Sequence, residues 1–175
     1  MQNFSLKKSI EILEKTPSVL ENLLTNLSDN WINQNEGENT WSPFDIVGHL
    51  LHGEKTDWIT RTERIIKYGT EKAFDPFDRF AQLETSKGKT IKQLLNEFAR
   101  LRKENLAVLS EMNIQEKDLE KKGIHPNFGE VTLKELLATW VVHDLGHISQ
   151  VVRVMAKQYK EEIGPWKAFL PIVNM

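Results

Sequence analysis

The stretch that decides the fold is Thr132-Leu133-Lys134-Glu135-Leu136-Leu137-Ala138-Thr139-Trp140-Val141-Val142-His143-Asp144-Leu145-Gly146-His147. It opens with a capping box, in which Thr132 satisfies the backbone N–H of Glu135 and Glu135 reaches back to Thr132. Leu133, Leu136, Leu137, Trp140, Val151, Val154 and Met155 then recur at helical spacing, which predicts an amphipathic helix over about 132–158. His143 and His147 stand at i and i+4 on one edge of the apolar face. That spacing puts two imidazoles about 6 Å apart at Cβ, aimed into a bundle rather than into water.

Similar punctuation recurs upstream. Ser42-Pro43-Phe44-Asp45 supplies an N-cap, a proline at the first helical position and an acid at N3, opening a helix over about 43–67 that Gly69 stops. Thr90-Ile91-Lys92-Gln93 opens another, over about 90–111. A first helix over about 5–27 is interrupted at Thr16-Pro17, where proline removes a donor and clashes with the preceding turn. Alternating β-branched runs bounded by turns are missing, so a sheet is not expected. The reading is an all-α four-helix bundle.

Two connections, between the second and third helices and between the third and fourth, run to about 20 residues, well beyond the usual helix–helix loop. Segments that long can cross the length of a bundle, so a crossover arrangement such as up-down-down-up is expected. Asp75-Pro76-Phe77-Asp78-Arg79-Phe80 and His125-Pro126-Asn127-Phe128-Gly129 are the two loops placed to cover a bundle mouth.

The 175 residues form one domain, 1–175, large enough to bury a core without staples. Twenty-three basic against 25 acidic residues leave no excess of positive charge for nucleic acid. With no cysteine, disulfides, iron–sulfur clusters, thiolate zinc sites and a cysteine nucleophile are excluded. No apolar run approaches the roughly 20 residues that span a bilayer, and the first residues are too polar for a secretory signal, so a cytoplasmic protein without a membrane partner is expected.

A third metal ligand would come from the second helix, where His49 and His52 lie on a polar stripe with Asp45, Gly53 and Thr56. Gly48 and Gly53 each destabilise a helix interior by about 1 kcal/mol relative to alanine, which favours an internal cavity there. Periodicity does not choose between His49 and His52. Three neutral imidazoles hold a divalent cation with positions left open, the pattern of catalytic rather than structural sites. Imidazole suits zinc, nickel, iron and copper alike. Bound metal should be lost on acidification through about pH 6, as protons compete for the imidazoles.

The sequence resembles the DinB/YfiT-like superfamily of metalloenzymes, in its smaller DinB-like branch. The likeness is carried by Glu11-Ile12-Leu13-Glu14-Lys15-Thr16-Pro17, Thr40-Trp41-Ser42-Pro43 leading to Val47-Gly48-His49-Leu50, Phe98 and Arg102 before Asn105-Leu106, His125-Pro126-Asn127-Phe128-Gly129-Glu130-Val131-Thr132-Leu133, and Ala138-Thr139-Trp140 through His147-Ile148-Ser149-Gln150. The resemblance implies a four-helix bundle, commonly a homodimer, with a metal triad of one histidine early in the second helix and a His-x3-His in the fourth. By that match the ligands are His49, His143 and His147, and His52 becomes a neighbouring cavity residue. It further implies a small-molecule substrate and an enzyme that transfers low-molecular-weight thiols of the bacillithiol or mycothiol type. The same bundle is also compatible with a metal- or ligand-binding protein acting through a partner. A hydrolase reading of His143-Asp144-Leu145-Gly146-His147 as a zinc-protease motif lacks the glutamate general base. Asp144 cannot share the direction of His143; it and Gln150 are expected to pack or to hydrogen-bond behind the ligands. Trp41, Trp58 and Trp140 are expected in the core, and Trp166 in a pocket wall or dimer contact.

Overall fold

The computed structural model describes residues 4–175. Helices α1 (Leu6–Leu13) and α2 (Thr16–Leu24) form the first arm of the bundle, broken where Pro17 occupies the first turn of α2. After the short α3 (Asp29–Asn33), α4 (Pro43–Thr56) and α5 (Trp58–Tyr68) form the second arm. The short α6 (Gln82–Thr85) precedes α7 (Ile91–Glu111), the third arm. The fourth is α8 (Leu133–Lys157). All three expected capping boxes are formed, at Ser42, Thr90 and Thr132, and Gly69 caps α5 at φ 56°.

The second arm is not continuous. Asp57, at φ −113° and ψ −79°, separates α4 from α5, although the apolar periodicity runs through the join. A second difference is a small sheet. β1 (Lys122–His125) and β2 (Gly129–Thr132) pair antiparallel, with Lys122 opposite Thr132 and His125 opposite Gly129. Strands of four residues are too short to show a two-residue period. Gly129, at φ 73°, turns the chain in a backbone region that side chains disfavour.

The core has two halves. One joins Leu20 and Leu24 of α2 to Ile46 and Leu50 of α4, Leu94 and Phe98 of α7, and Val151 and Val154 of α8. The other joins Leu13 of α1 to Trp58 and Ile65 of α5, Leu109 of α7, and Leu133, Leu137 and Trp140 of α8. The order of these contacts along each helix fixes the directions as up-down-down-up. The first and second arms both pack on α7 and α8, which face each other across the core. The connection between the second and third arms therefore crosses the length of the bundle, whereas the one between the third and fourth stays at one end and spans the diagonal. Burying each such leucine contributes on the order of 1.5–3 kcal/mol.

The two α4 glycines have packing reasons rather than a cavity behind them. A Cβ at Gly48 would stand 2.6 Å from Ser86 Oγ, and one at Gly53 would stand 3.2 Å from Trp58 Nε1. Gly48 is what lets the segment beside α6 lie directly on α4. No described helix is long and apolar enough to cross a membrane.

Candidate metal centre

The Ser42 capping box starts α4 so that His49 falls in its second turn, where it is only 5% exposed. The Thr132 box starts α8 so that His143 and His147 lie one turn apart on the side facing α4. Their imidazoles converge through Nε2: His49 Nε2 and His147 Nε2 lie 3.1 and 3.2 Å from His143 Nε2. The three ligand atoms all lie within 4.8 Å of one another. Two nitrogens bound tetrahedrally to one ion at about 2.1 Å stand roughly 3.4 Å apart, so the cluster needs little adjustment to share a cation.

Proton counting points the same way. His147 Nδ1 lies 2.8 Å from Gln150 Oε1, so Nδ1 carries the proton and Nε2 presents its lone pair to the cluster. His143 Nε2 can then donate to one neighbour at most, which leaves another pair of nitrogens lone pair to lone pair. Nδ1 of both His49 and His143 is buried with no hydrogen bond of good geometry. For His49, the backbone of Arg79 is the single influence that favours a proton on the ring. A cation at the Nε2 atoms removes the repulsion and leaves every proton on Nδ1, so the residues fit a divalent ion.

Burial keeps these imidazoles neutral. Desolvation, followed by the neighbouring His147, holds both His49 and His143 down to about 3, far below the ordinary histidine value. His147 is lowered for the same first reason, against the opposing pull of its Gln150 hydrogen bond. Neutral imidazole is the ligating form.

The cluster opens on a cavity of about 780 Å3, within the range of small-molecule sites. Trp41 stands 4.7 Å from the His49 ring and stacks on His147 at 6.2 Å, while Phe77 meets His49 edge-on at 5.5 Å. Trp58 meets His143 edge-on at 5.1 Å. Both loops expected to cover a bundle mouth do line this cavity, and a hydrogen bond from Phe74 N to Ile124 O ties them together.

His49, His143 and His147 are thus brought together, and His52 is left out: it lies against Phe77 at 5.0 Å and turns toward Thr56 Oγ1. Trp58 and Trp140 are buried as expected, and Trp41 is half-buried, packing against the core on one side and walling the cavity on the other. Trp166, 69% exposed, does not line it. Asp144 is fully buried and bound to Arg102. Sequence reasoning missed that Arg102 and Glu54 are buried ions, 1% and 5% exposed. The signal was present, because Arg102 continues the stripe of Leu94, Leu95, Phe98 and Leu109.

Fold and site together define a four-helix-bundle protein with a candidate three-histidine metal centre in a ligand-sized cavity. The profile of the DinB superfamily matches residues 12–151, and the chain belongs to that superfamily. Among solved structures it is similar to YfiT from Bacillus subtilis, described as a probable metal-dependent hydrolase with an unusual four-helix bundle topology. The two share 20% identity with a TM-score of 0.75, over 94% of this chain and 92% of that one; at this identity the likeness establishes the fold. No curated protein matches the chain.

Proposed function

We propose that the protein is a metal-dependent enzyme that uses a low-molecular-weight thiol, an S-transferase, with His49, His143 and His147 holding one zinc, nickel or iron ion. The observation that carries the reading is the convergence of three Nε2 atoms on the wall of an open cavity, which leaves the cavity side free for substrate. A divalent ion held there supplies Lewis acidity, lowering the pKa of a thiol or water at its open side.

The thiol reading is supported by the sequence resemblance. Hydrolysis calls for a base to take the proton of water. Arg153 donates to both oxygens of Glu36, and Glu135 is held in the Thr132 capping box. Asp57, by contrast, is ion-paired to Arg61 with no hydrogen bond to its Oδ1, and burial pushes it up to about 6. The choice between thiol and water therefore rests on the resemblance and on the turnover assay below. A thiol has the lower intrinsic pKa, so it gives up its proton to solvent more readily than water does at neutral pH. Gln150 fixes the His147 tautomer, and Trp41 and Phe77 cover His49 from water.

The test is turnover of 1-chloro-2,4-dinitrobenzene by metal-loaded protein with a panel of thiols, beside an ester without thiol. Thiol-dependent turnover that is abolished by chelation and by His143→Ala is expected. Ester cleavage that ignores thiol would establish a hydrolase instead. Stoichiometric metal without turnover of either would leave a binding protein.

A further inference from the structure

Three arginines line the cavity: Arg61, Arg79 and Arg153. Two of them are answered by carboxylates. Arg61 Nε lies 2.5 Å from Asp57 Oδ1, with both side chains about one-tenth exposed. Arg153 donates from Nε and Nη2 to Glu36 at 2.7 and 2.9 Å. Arg79 has no carboxylate partner among the described residues. The acids of its own loop are occupied elsewhere: Asp75 is held by Arg64 at 2.6 Å, and Asp78 accepts the N–H of Phe80 at 3.0 Å.

What holds Arg79 is aromatic. Its guanidinium carbon lies 5.2 Å from the Phe80 ring centre and 5.8 Å from that of Trp41. Ring faces orient a guanidinium without consuming its N–H donors. None of the five donors of Arg79 bonds to a described residue. Trp41 is also the ring that touches His49 and His147, so one indole separates an unanswered cation from the histidine cluster. Phe77 and Phe80 extend this apolar surface along the cavity.

We propose that Arg79 is the specificity-determining residue of the cavity and that the substrate is a carboxylate-bearing molecule with an apolar body. Its charged end lies on Arg79, its body on Trp41 and Phe80, and its reactive end at the histidines. Only the last clause rests on the metal-enzyme reading above. A guanidinium fork matches a carboxylate in bidentate geometry, and the flanking rings hold that fork in place.

The experiment is isothermal titration calorimetry on the zinc-loaded chain with two matched pairs: 3-phenylpropionate against 3-phenylpropanol, and 3-mercaptopropionate against 2-mercaptoethanol. Each acid is expected to bind at least about tenfold more tightly than its alcohol. Arg79→Gln should abolish that margin while leaving the alcohols unchanged, and Arg79→Lys should restore part of it. Zinc content and helical circular dichroism should stay constant, since Arg79 is exposed and anchors no carboxylate. Equal binding of acid and alcohol, or a margin that survives in Arg79→Gln because the carboxylate goes to the metal or another arginine, overturns the proposal. An Arg79-dependent margin in the phenyl pair with no binding of either thiol sinks the thiol reading and leaves Arg79 standing. Thiols that bind without regard to charge do the reverse.

Discussion

Two polar clusters share a single turn of α8, and they are built on opposite terms. On one side His143 and His147 meet His49 across 3.1 and 3.2 Å, with two buried Nδ1 atoms and a surplus of lone pairs left unanswered. On the other side, one residue along, Asp144 receives both Nη groups of Arg102 at 2.6 and 3.1 Å. Arg102 also binds Glu54 Oε1 and the carbonyl of Leu13, each at 2.8 Å. Glu54 takes further bonds from Asn105 and from the Trp140 indole. Within that network Arg102 Nε alone lacks a partner. A buried polar group that has found its partners holds structure together, while one that has not is waiting for something from outside the chain. The charged cluster belongs to the first kind and the neutral one to the second.

That contrast can be broken most forcefully at Arg102. Arg102→Ala leaves Glu54 and Asp144 as unpaired buried acids and should destabilise the fold by about 3–5 kcal/mol, read by chemical denaturation of metal-free protein. His49→Ala, His143→Ala and His147→Ala should each cut bound zinc to roughly a tenth or less, since each removes one of the three proposed ligands. Their metal-free unfolding midpoints should move far less than that of Arg102→Ala. If a histidine variant unfolds as readily as Arg102→Ala, the two clusters do not differ in kind. Gln150→Ala frees the His147 tautomer and should weaken zinc binding by about 10- to 100-fold in a competitive chelator titration.

Acid sharpens the comparison further. Unfolded histidine titrates near 6.5, whereas His49 and His143 in the fold titrate at about 3. As pH falls through that window the unfolded chain takes up protons first, so metal-free protein should lose stability between about pH 6.5 and 3. His49→Ala should flatten that loss. Burial pushes Asp57 the opposite way, up to about 6, so its contribution is present in acid and fades as pH rises through that value. Metal release, expected near pH 6 from free imidazole, should move lower, because the fold itself opposes protonation of the ligands. The smallest effect belongs to His52→Ala, which should keep zinc and stability within error, as His52 lies outside the cluster.

The helices that begin at Ser42, Thr90 and Thr132 were legible because each start is written in local chemistry, a side-chain oxygen three residues before its partner. The His143/His147 pair was legible for the same reason, since one turn of helix determines it. His49 was not separable from His52 by period, because the choice depends on how α4 rotates against α8; resemblance supplied it. The break at Asp57 carries neither proline nor glycine at the joint, and the hairpin at 122–132 is too short to announce itself. Trp41 packs against the core as its place beside a helix suggests, but that it also walls the cavity was not legible, because a loop residue takes its surroundings from the packing of distant segments.

The Arg102 network lies between the two apolar half-cores, and this has a consequence for alignment. Leucines are nearly interchangeable, so a helix displaced by one turn, about 5.4 Å, meets much the same greasy surface. Such a slip of α7 would carry the guanidinium away from Glu54 and Asp144 and strand three charges at once, a penalty of several kcal/mol. The ionic layer therefore acts as a detent that sets the sliding register of all four arms, and with it the separation of His49 from His143 on which the neighbouring cluster depends.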